Sequence, residues 1–315
     1  MAQVALIIIY NHKYDQNIPA LEELYGERFS NIYHLVPFYS GTKKNVIPVY
    51  ENSFYFHGYI AQGLRDFYET TYQHYLFIGD DLFLNPVINE SNYTNHFKLN
   101  RESCFFPGYQ MLHEFNRDGK RWERVTEAFH YKPNNVYGLE TINEIPNYAT
   151  AVKLFEGHGL SVEPLQYDQI NTPVPKPKFN ALRRLRRYYI EQARRFKHKK
   201  KRFNTYYPLA GGYSDIFVVS SSVIKKFSHY CGVFATEKLF VEFAIPTALI
   251  LAAETIVQEK EMSLYGKALW SAEDFKYLDK YEYHLDKLHN NFPCELLYLH
   301  PIKLSRWKKQ RHEVN

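Results

Sequence analysis

The sequence predicts an α/β protein with a mostly parallel central sheet flanked by helices and one basic helical insertion. Three observations carry this. Apolar, β-branched runs alternate with helical periodicity through the first half of the chain. One run, Tyr75-Leu-Phe-Ile78, is apolar at every position, as a strand buried on both faces must be, and it stops abruptly at Gly79-Asp80-Asp81. Basic charge, finally, is concentrated in a single stretch behind a proline-rich connector.

The opening run, Met1-Ala-Gln-Val-Ala-Leu-Ile-Ile-Ile-Tyr10, has no basic leader and no cleavage site. It is also shorter than the roughly 20 residues needed to cross a bilayer. It reads as a first, central parallel strand. A short helix is expected over 18–25 and a second strand over 32–38. Ile60, Leu64, Phe67 and Tyr68 give 55–72 a helical spacing ahead of the Tyr75 strand. This β-α-β-α-β order is that of a Rossmann-type nucleotide-binding sheet. Further on, 149–155 reads as a helix and 159–165 as a strand.

Composition changes at Asn171-Thr-Pro-Val-Pro-Lys-Pro-Lys178, a stiff connector. Residues 183–202 then hold eleven Lys/Arg against one acid, Glu191, a net +10. The whole chain is +5, so everything outside that segment is −5. Leu182, Leu185, Tyr189, Ala193 and Phe196 fall on one helical stripe among the arginines. A basic amphipathic helix of this kind suits an anionic membrane surface. A nucleic-acid contact and a solvated insertion are the alternatives, though no nucleic-acid module surrounds the segment. The chain thus divides into 1–170, an insertion over 171–206, and 207–315 completing the same domain.

Adjacent carboxylates at the end of a buried strand lose solvation and repel each other, so Asp80 and Asp81 call for a positive partner. Strand carboxyl ends are where open α/β sheets bind ligands. A divalent metal carrying phosphates fits hard oxygen donors; simple capping of the following turn is the other reading. Beyond the insertion, Leu209-Ala-Gly-Gly-Tyr-Ser-Asp215 combines paired glycines, which allow close backbone approach, with Ser214-Asp215 ahead of a buried strand at 216–219. A helix over 235–249 carries Glu237 and Glu242. Glu242 lies between Val241 and Phe243, where a carboxylate takes a raised pKa suited to a general base, unless it is simply a surface residue. Near the end, His300 and Lys303 follow an apolar run and offer a metal ligand and a phosphate contact. The 28 Tyr suit sugar and base stacking or half-buried packing. Cys104, Cys231 and Cys294 form neither a disulfide framework nor a zinc pattern, which favours a reducing cytoplasm. The sequons at Asn89 and Asn92 carry little weight beside that.

Taken in order, Tyr10-Asn11, the Tyr75–Pro86 strand, the Gly-Gly-Tyr-Ser-Asp strand, the Glu242 helix and the terminal His-Pro-Ile-Lys resemble the GT-A-fold glycosyltransferases that use nucleotide sugars, especially those of bacterial surface-polysaccharide assembly. The resemblance implies a nucleotide-sugar-binding half over 1–170 and an acceptor-binding half over 207–315. It implies that Tyr10 and Asn11 touch the nucleobase and that Asp80 and Lys303 contact the donor. Asp81 and His300 would hold Mn2+ or Mg2+, and Glu242, with Asp215 as the next candidate, would act as the base. Gly79 stands where the family's metal motif has its first aspartate. The reaction expected is transfer of a sugar, most simply from a UDP-sugar, to a lipid-linked or polysaccharide acceptor of the bacterial envelope, at the inner face of the cytoplasmic membrane. A nucleotidyltransferase would also use an aspartate pair and a metal, although Tyr10–Asp15 lacks the glycines of a phosphate loop. A non-enzymatic RNA- or membrane-binding adaptor is the third reading.

Overall fold

A computed structural model describes residues 3–115, 124–170, 182–198 and 200–308. The proline-rich connector lies outside these residues. In chain order the strands are β1 (Val4–Ile9), β2 (Ile32–Pro37), β3 (Val46–Val49), β4 (His74–Gly79), β5 (Phe83–Leu84), β6 (Cys104–Phe106), β7 (Gln110–Met111), β8 (Leu165–Gln166), β9 (Arg202–Phe203), β10 (Ala210–Gly211), β11 (Ile216–Ser220), β12 (Ile256–Gln258), β13 (Tyr265–Ala268) and β14 (Leu296–His300). Seven of them form the central sheet in the order β12-β6-β11-β4-β1-β2-β3. Within it β1, β2, β3 and β4 are mutually parallel, and β12 is parallel to β6. β11 runs antiparallel to both its neighbours, β4 and β6. The fold is therefore α/β with a mostly parallel sheet, and segments before and after the basic insertion both supply strands to it.

The alternation of side chains along each inner strand divides the core in two. Ala5, Ile7 and Ile9 of β1, Tyr75 and Phe77 of β4, and Phe217 and Val219 of β11 point to one face. Helices His57–Phe67, Ile224–Thr236 and Val241–Ala252 lie in that layer. Phe77 stacks on Phe217 across the β4–β11 pair with ring centroids 4.7 Å apart. Val4, Leu6 and Ile8, with Leu76, Ile78, Ile216 and Val218, point to the other face, under helix Ile18–Tyr25. Both faces are buried, which is why these strands read as continuous apolar runs. Each aliphatic side chain fully removed from water there contributes about 1.5–3 kcal/mol.

Three local expectations need correction. No strand forms over 160–164; only Leu165–Gln166 pairs, with β9, in a small antiparallel ribbon. Ser161, Glu163 and Pro164 of that stretch are exposed, and proline cannot donate to a ladder. The helix expected over 235–249 is two helices, with a break between Thr236 and Val241 in which Lys238 takes a left-handed backbone (φ 56°). The helix expected over 55–72 spans only His57–Phe67.

The basic insertion contains the helix Leu182–His198. Tyr167 fastens it to the body: its hydroxyl donates to Glu191 at 3.2 Å and its ring stacks on His198. Among the described residues no helix is long and apolar enough to cross a membrane.

Candidate functional site

Strand register assembles the site. Ile9 of β1 pairs with Gly79 of β4, so Tyr10-Asn11 and Asp80-Asp81 emerge side by side at the carboxyl edge of the sheet. The Asp80 amide donates to the Ile9 carbonyl at 2.9 Å. Ile216 of antiparallel β11 pairs with Ile78, which brings Asp215 opposite Gly79, and the Gly79 amide donates to the Asp215 carbonyl at 2.9 Å. β14 then runs antiparallel to β5, with Leu299 paired to Phe83, so His300 arrives beside Asp81. The Ile302 amide closes this contact on the Asp81 carbonyl.

Helix Val241–Ala252 is held by a different device. Pro246 has no amide hydrogen to give to the carbonyl four residues back, which is that of Glu242. The Gly212 amide takes that place, donating to the Glu242 carbonyl at 2.9 Å. Gly212 is constrained too, because a Cβ there would lie 2.6 Å from the Gly108 carbonyl oxygen. Thr247 adds a second tie, its hydroxyl lying 3.2 Å from the Ala210 amide. The glycine pair and the interior proline together bring Glu242 to the Tyr213–Asp215 segment.

The electrostatics follow from this crowding. His300 Nε2 sits 2.9 Å from Asp81 Oδ1 and 3.9 Å from Asp215 Oδ1. Burial pulls the imidazole down, but Asp215 and the charge and hydrogen bond of Asp81 outweigh it and bring its pKa to about 9. That shift favours the protonated ring, placed between the Asp81 and Asp215 side chains. Burial raises Asp215, opposed by His300. Glu242 is pushed up to about 8, first by burial and then by Asp215, and its Oε2 is buried with no hydrogen-bond partner among the described residues. Asp80, 3% exposed, rises to about 7 through burial and then through Asp81, despite hydrogen bonds from the Asn11 amide (3.3 Å) and the Asn17 side chain (3.4 Å).

Two openings lie near this cluster; Asp80 and Asp81 line the smaller, the larger comes close through Tyr213, and Asp215, Glu242 and His300 line neither. Asn11, Asn17, Asp80, Asp81 and Lys303 line a cavity of about 250 Å3. On the other side a wider cleft of about 710 Å3 is bounded by Tyr109, Gln110, Tyr213, Gln258, Glu259 and Tyr265. Tyr213 links the larger cleft to the cluster: its ring stacks flat on Tyr298, 5.7 Å away, and meets His300 edge-on at 5.7 Å. Trp270, 69% exposed, sets its ring 6.4 Å from that of His300.

The structure thus gathers Asn11, Asp80, Asp81, Asp215, Glu242, His300 and Lys303. Tyr10 is not brought to the cavity. Its side chain is wholly buried and its hydroxyl lies 3.0 Å from His34 Nδ1, so of the Tyr10-Asn11 pair only Asn11 lines the cavity. Glu237 is elsewhere engaged: it accepts hydrogen bonds from the Tyr131 and Thr141 hydroxyls and the Asn134 amide (2.7 Å). Sequence reasoning passed over Tyr213 and Pro246, although both stood inside segments it singled out, and Trp270, which no pattern marks.

Among the described residues no group of three or more His, Cys, Asp and Glu is arranged to hold a metal ion. Neither the family models nor the curated proteins include a match to this chain.

Proposed function

We propose that this chain is a glycosyltransferase of the GT-A type, moving a sugar from a nucleotide-sugar donor, most simply a UDP-sugar, to a lipid-linked or polysaccharide acceptor. The observation that carries this reading is the convergence of Asp81, Asp215, Glu242 and His300, four residues from well-separated segments, at the carboxyl edge of the sheet with two openings nearby. The smaller opening, with Lys303 on its wall, suits the donor. The larger, lined by tyrosines and side-chain amides, suits the hydroxyls and flat faces of a glycan.

In this reading Glu242 takes the proton from the acceptor hydroxyl as that oxygen bonds to the sugar's anomeric carbon. The bond between that carbon and the phosphate oxygen breaks, and the nucleoside diphosphate leaves with its electron pair. Burial raises the proton affinity of Glu242, which a base at neutral pH requires. Lys303 and the protonated His300 offset charge on the departing diphosphate.

The described residues form no ready three-residue metal site, so Mn2+ or Mg2+ would have to be held by carboxylates alone. A Cβ added at Gly79 would lie 3.5 Å from Asp81 Oδ1 and 3.6 Å from Asp215 Oδ1, so the two carboxylates face a common space beside the glycine. Asp81 and Asp215 would hold the ion there, the remaining positions going to phosphate oxygens and water, as such ions prefer; His300, while protonated, has no lone pair to give it. When bound, it would supply positive charge to the leaving diphosphate.

The test is to incubate the protein with a panel of nucleotide sugars and Mn2+ and to measure release of nucleoside diphosphate, alongside thermal shifts with UDP and Mn2+. Slow hydrolysis of one donor and a raised melting point are expected. No response to any nucleotide would sink the reading, and release of pyrophosphate from a nucleoside triphosphate and a sugar phosphate would replace it with nucleotidyl transfer.

A further inference from the structure

The helix Leu182–His198 leans on the body with one side and leaves the other uncovered. Glu191 and His198, both against Tyr167, mark the inner side. Phe196, Tyr189 and Ile190 on the outer side are 87%, 62% and 43% exposed. At about 100° per residue, Phe196, Tyr189, Ala193, Arg186, Lys197 and Ile190 share an outward arc of roughly 120°. Arg187 and Arg194, also exposed, border that arc, and Lys200, Lys201 and Arg202 continue the exposed charge beyond it. The helix's single acid, Glu191, is turned away.

This pattern differs from that of a solvated helix. On that arc Phe196 and Tyr189 stand at one edge and Ile190 at the other, with Ala193, Arg186 and Lys197 between them and no anion; apolar side chains flanking cations match a surface that is anionic at its headgroups and apolar just beneath. The rest of the chain is −5 and is repelled by such a surface, so attraction is confined to this helix and orients the molecule. Nucleic acid would also attract the arginines, and an aromatic ring could stack on a base, but Ile190 would have nothing to bury against.

We propose that the outward face of Leu182–His198 binds anionic lipid headgroups, with Tyr189, Ile190 and Phe196 inserted among the acyl chains at the interface. The inference needs no sugar donor and stands apart from the reading of the site. It is tested by sedimenting the full chain with phosphatidylserine-containing vesicles and with pure phosphatidylcholine vesicles, at low and high salt. Binding is expected to the first only, and to weaken as salt rises. Arg186→Gln and Arg187→Gln should each weaken it about fivefold. The double variant Ile190→Ser, Phe196→Ser should weaken it at least about tenfold, through lost apolar burial, with melting temperature unchanged because both residues are exposed. Equal binding to the two vesicle types, indifference to the Ile190/Phe196 change, or tighter binding to RNA than to anionic vesicles at the same salt would each overturn the proposal.

Discussion

Glu237 and Glu242 stand on either side of one helix break, yet their surroundings are opposite. Glu237 is met by two hydroxyls and an amide from the 131–141 segment and fastens that segment to the core. Glu242 is half-buried, with one oxygen enclosed and unpartnered among the described residues, within electrostatic reach of Asp215 and His300. A carboxylate whose hydrogen bonds are complete serves the fold, whereas one held in a dry place without partners costs stability and is available for chemistry. Sequence alone puts both on one helix and prefers Glu242 only through its apolar neighbours Val241 and Phe243. The difference arises from what folds against each.

The largest effect that this contrast predicts is on turnover. Glu242→Gln should lower the rate by about 10²–10⁴-fold, the worth of a general base, while the melting temperature holds near neutral pH and rises relative to wild type above about 8, where the native carboxyl ionises without a partner. Wild-type turnover in this variant would dissolve the contrast. Next, Asp81→Ala should weaken donor binding in Mn2+ by roughly 10–100-fold, as loss of a charge-assisted contact of about 1.5–3 kcal/mol implies. Titration calorimetry with UDP and Mn2+ measures it, and unchanged affinity would remove Asp81 from the site.

Glu237→Ala should act in the reverse sense. It strands two hydroxyls and an amide and should cost about 1–3 kcal/mol of stability, read as a lower denaturation midpoint, with activity kept below the transition. Loss of activity without loss of stability would make Glu237 functional after all.

A pH series sharpens the same comparison. Glu242 is raised in the folded state from its ordinary 4.5 to about 8. Its protonated form favours the fold, so its contribution is present below about 4.5 and is lost as pH rises through 8. As the base it must be ionised, so kcat/KM should rise with pH through about 8 as stability falls. Glu242→Gln should flatten the stability decline over that range. The smallest expected effect is that of Lys303→Ala, a several-fold loss of nucleoside diphosphate affinity with little change for the monophosphate, in keeping with one solvent-facing charge on the donor cavity; equal losses would place Lys303 away from the diphosphate.

The inner strands were legible because both their faces are buried, leaving Val4–Ile9 and Tyr75–Ile78 as unbroken apolar runs. The direction of β11 was not, since an antiparallel strand buried on both faces has the same composition as a parallel one. Individual site residues were legible as charges set in apolar surroundings, at Asp80-Asp81, Glu242 and His300. Their assembly depended on registers between strands far apart in the chain, which no local pattern carries. Tyr10 shows the limit from the other side: a tyrosine directly after the first strand is polar enough to suggest a ligand contact, but His34 of β2 takes its hydroxyl into the core.

The placement of β14 has a consequence for how the protein is made. β5, directly after the aspartate pair, takes as its partner a strand synthesised more than two hundred residues later. Until residues 296–303 have been translated, Asp81 and Asp215 lack the imidazole that lies between them, and the cavity beside Asp80 and Asp81 lacks its lysine. The pairings of β1 with β2 and β4, and of β2 with β3, need nothing from that stretch. The parallel part of the sheet can therefore form before the charged cluster is complete, and removing β14 would strip the imidazole from between the two carboxylates while leaving those pairings in place.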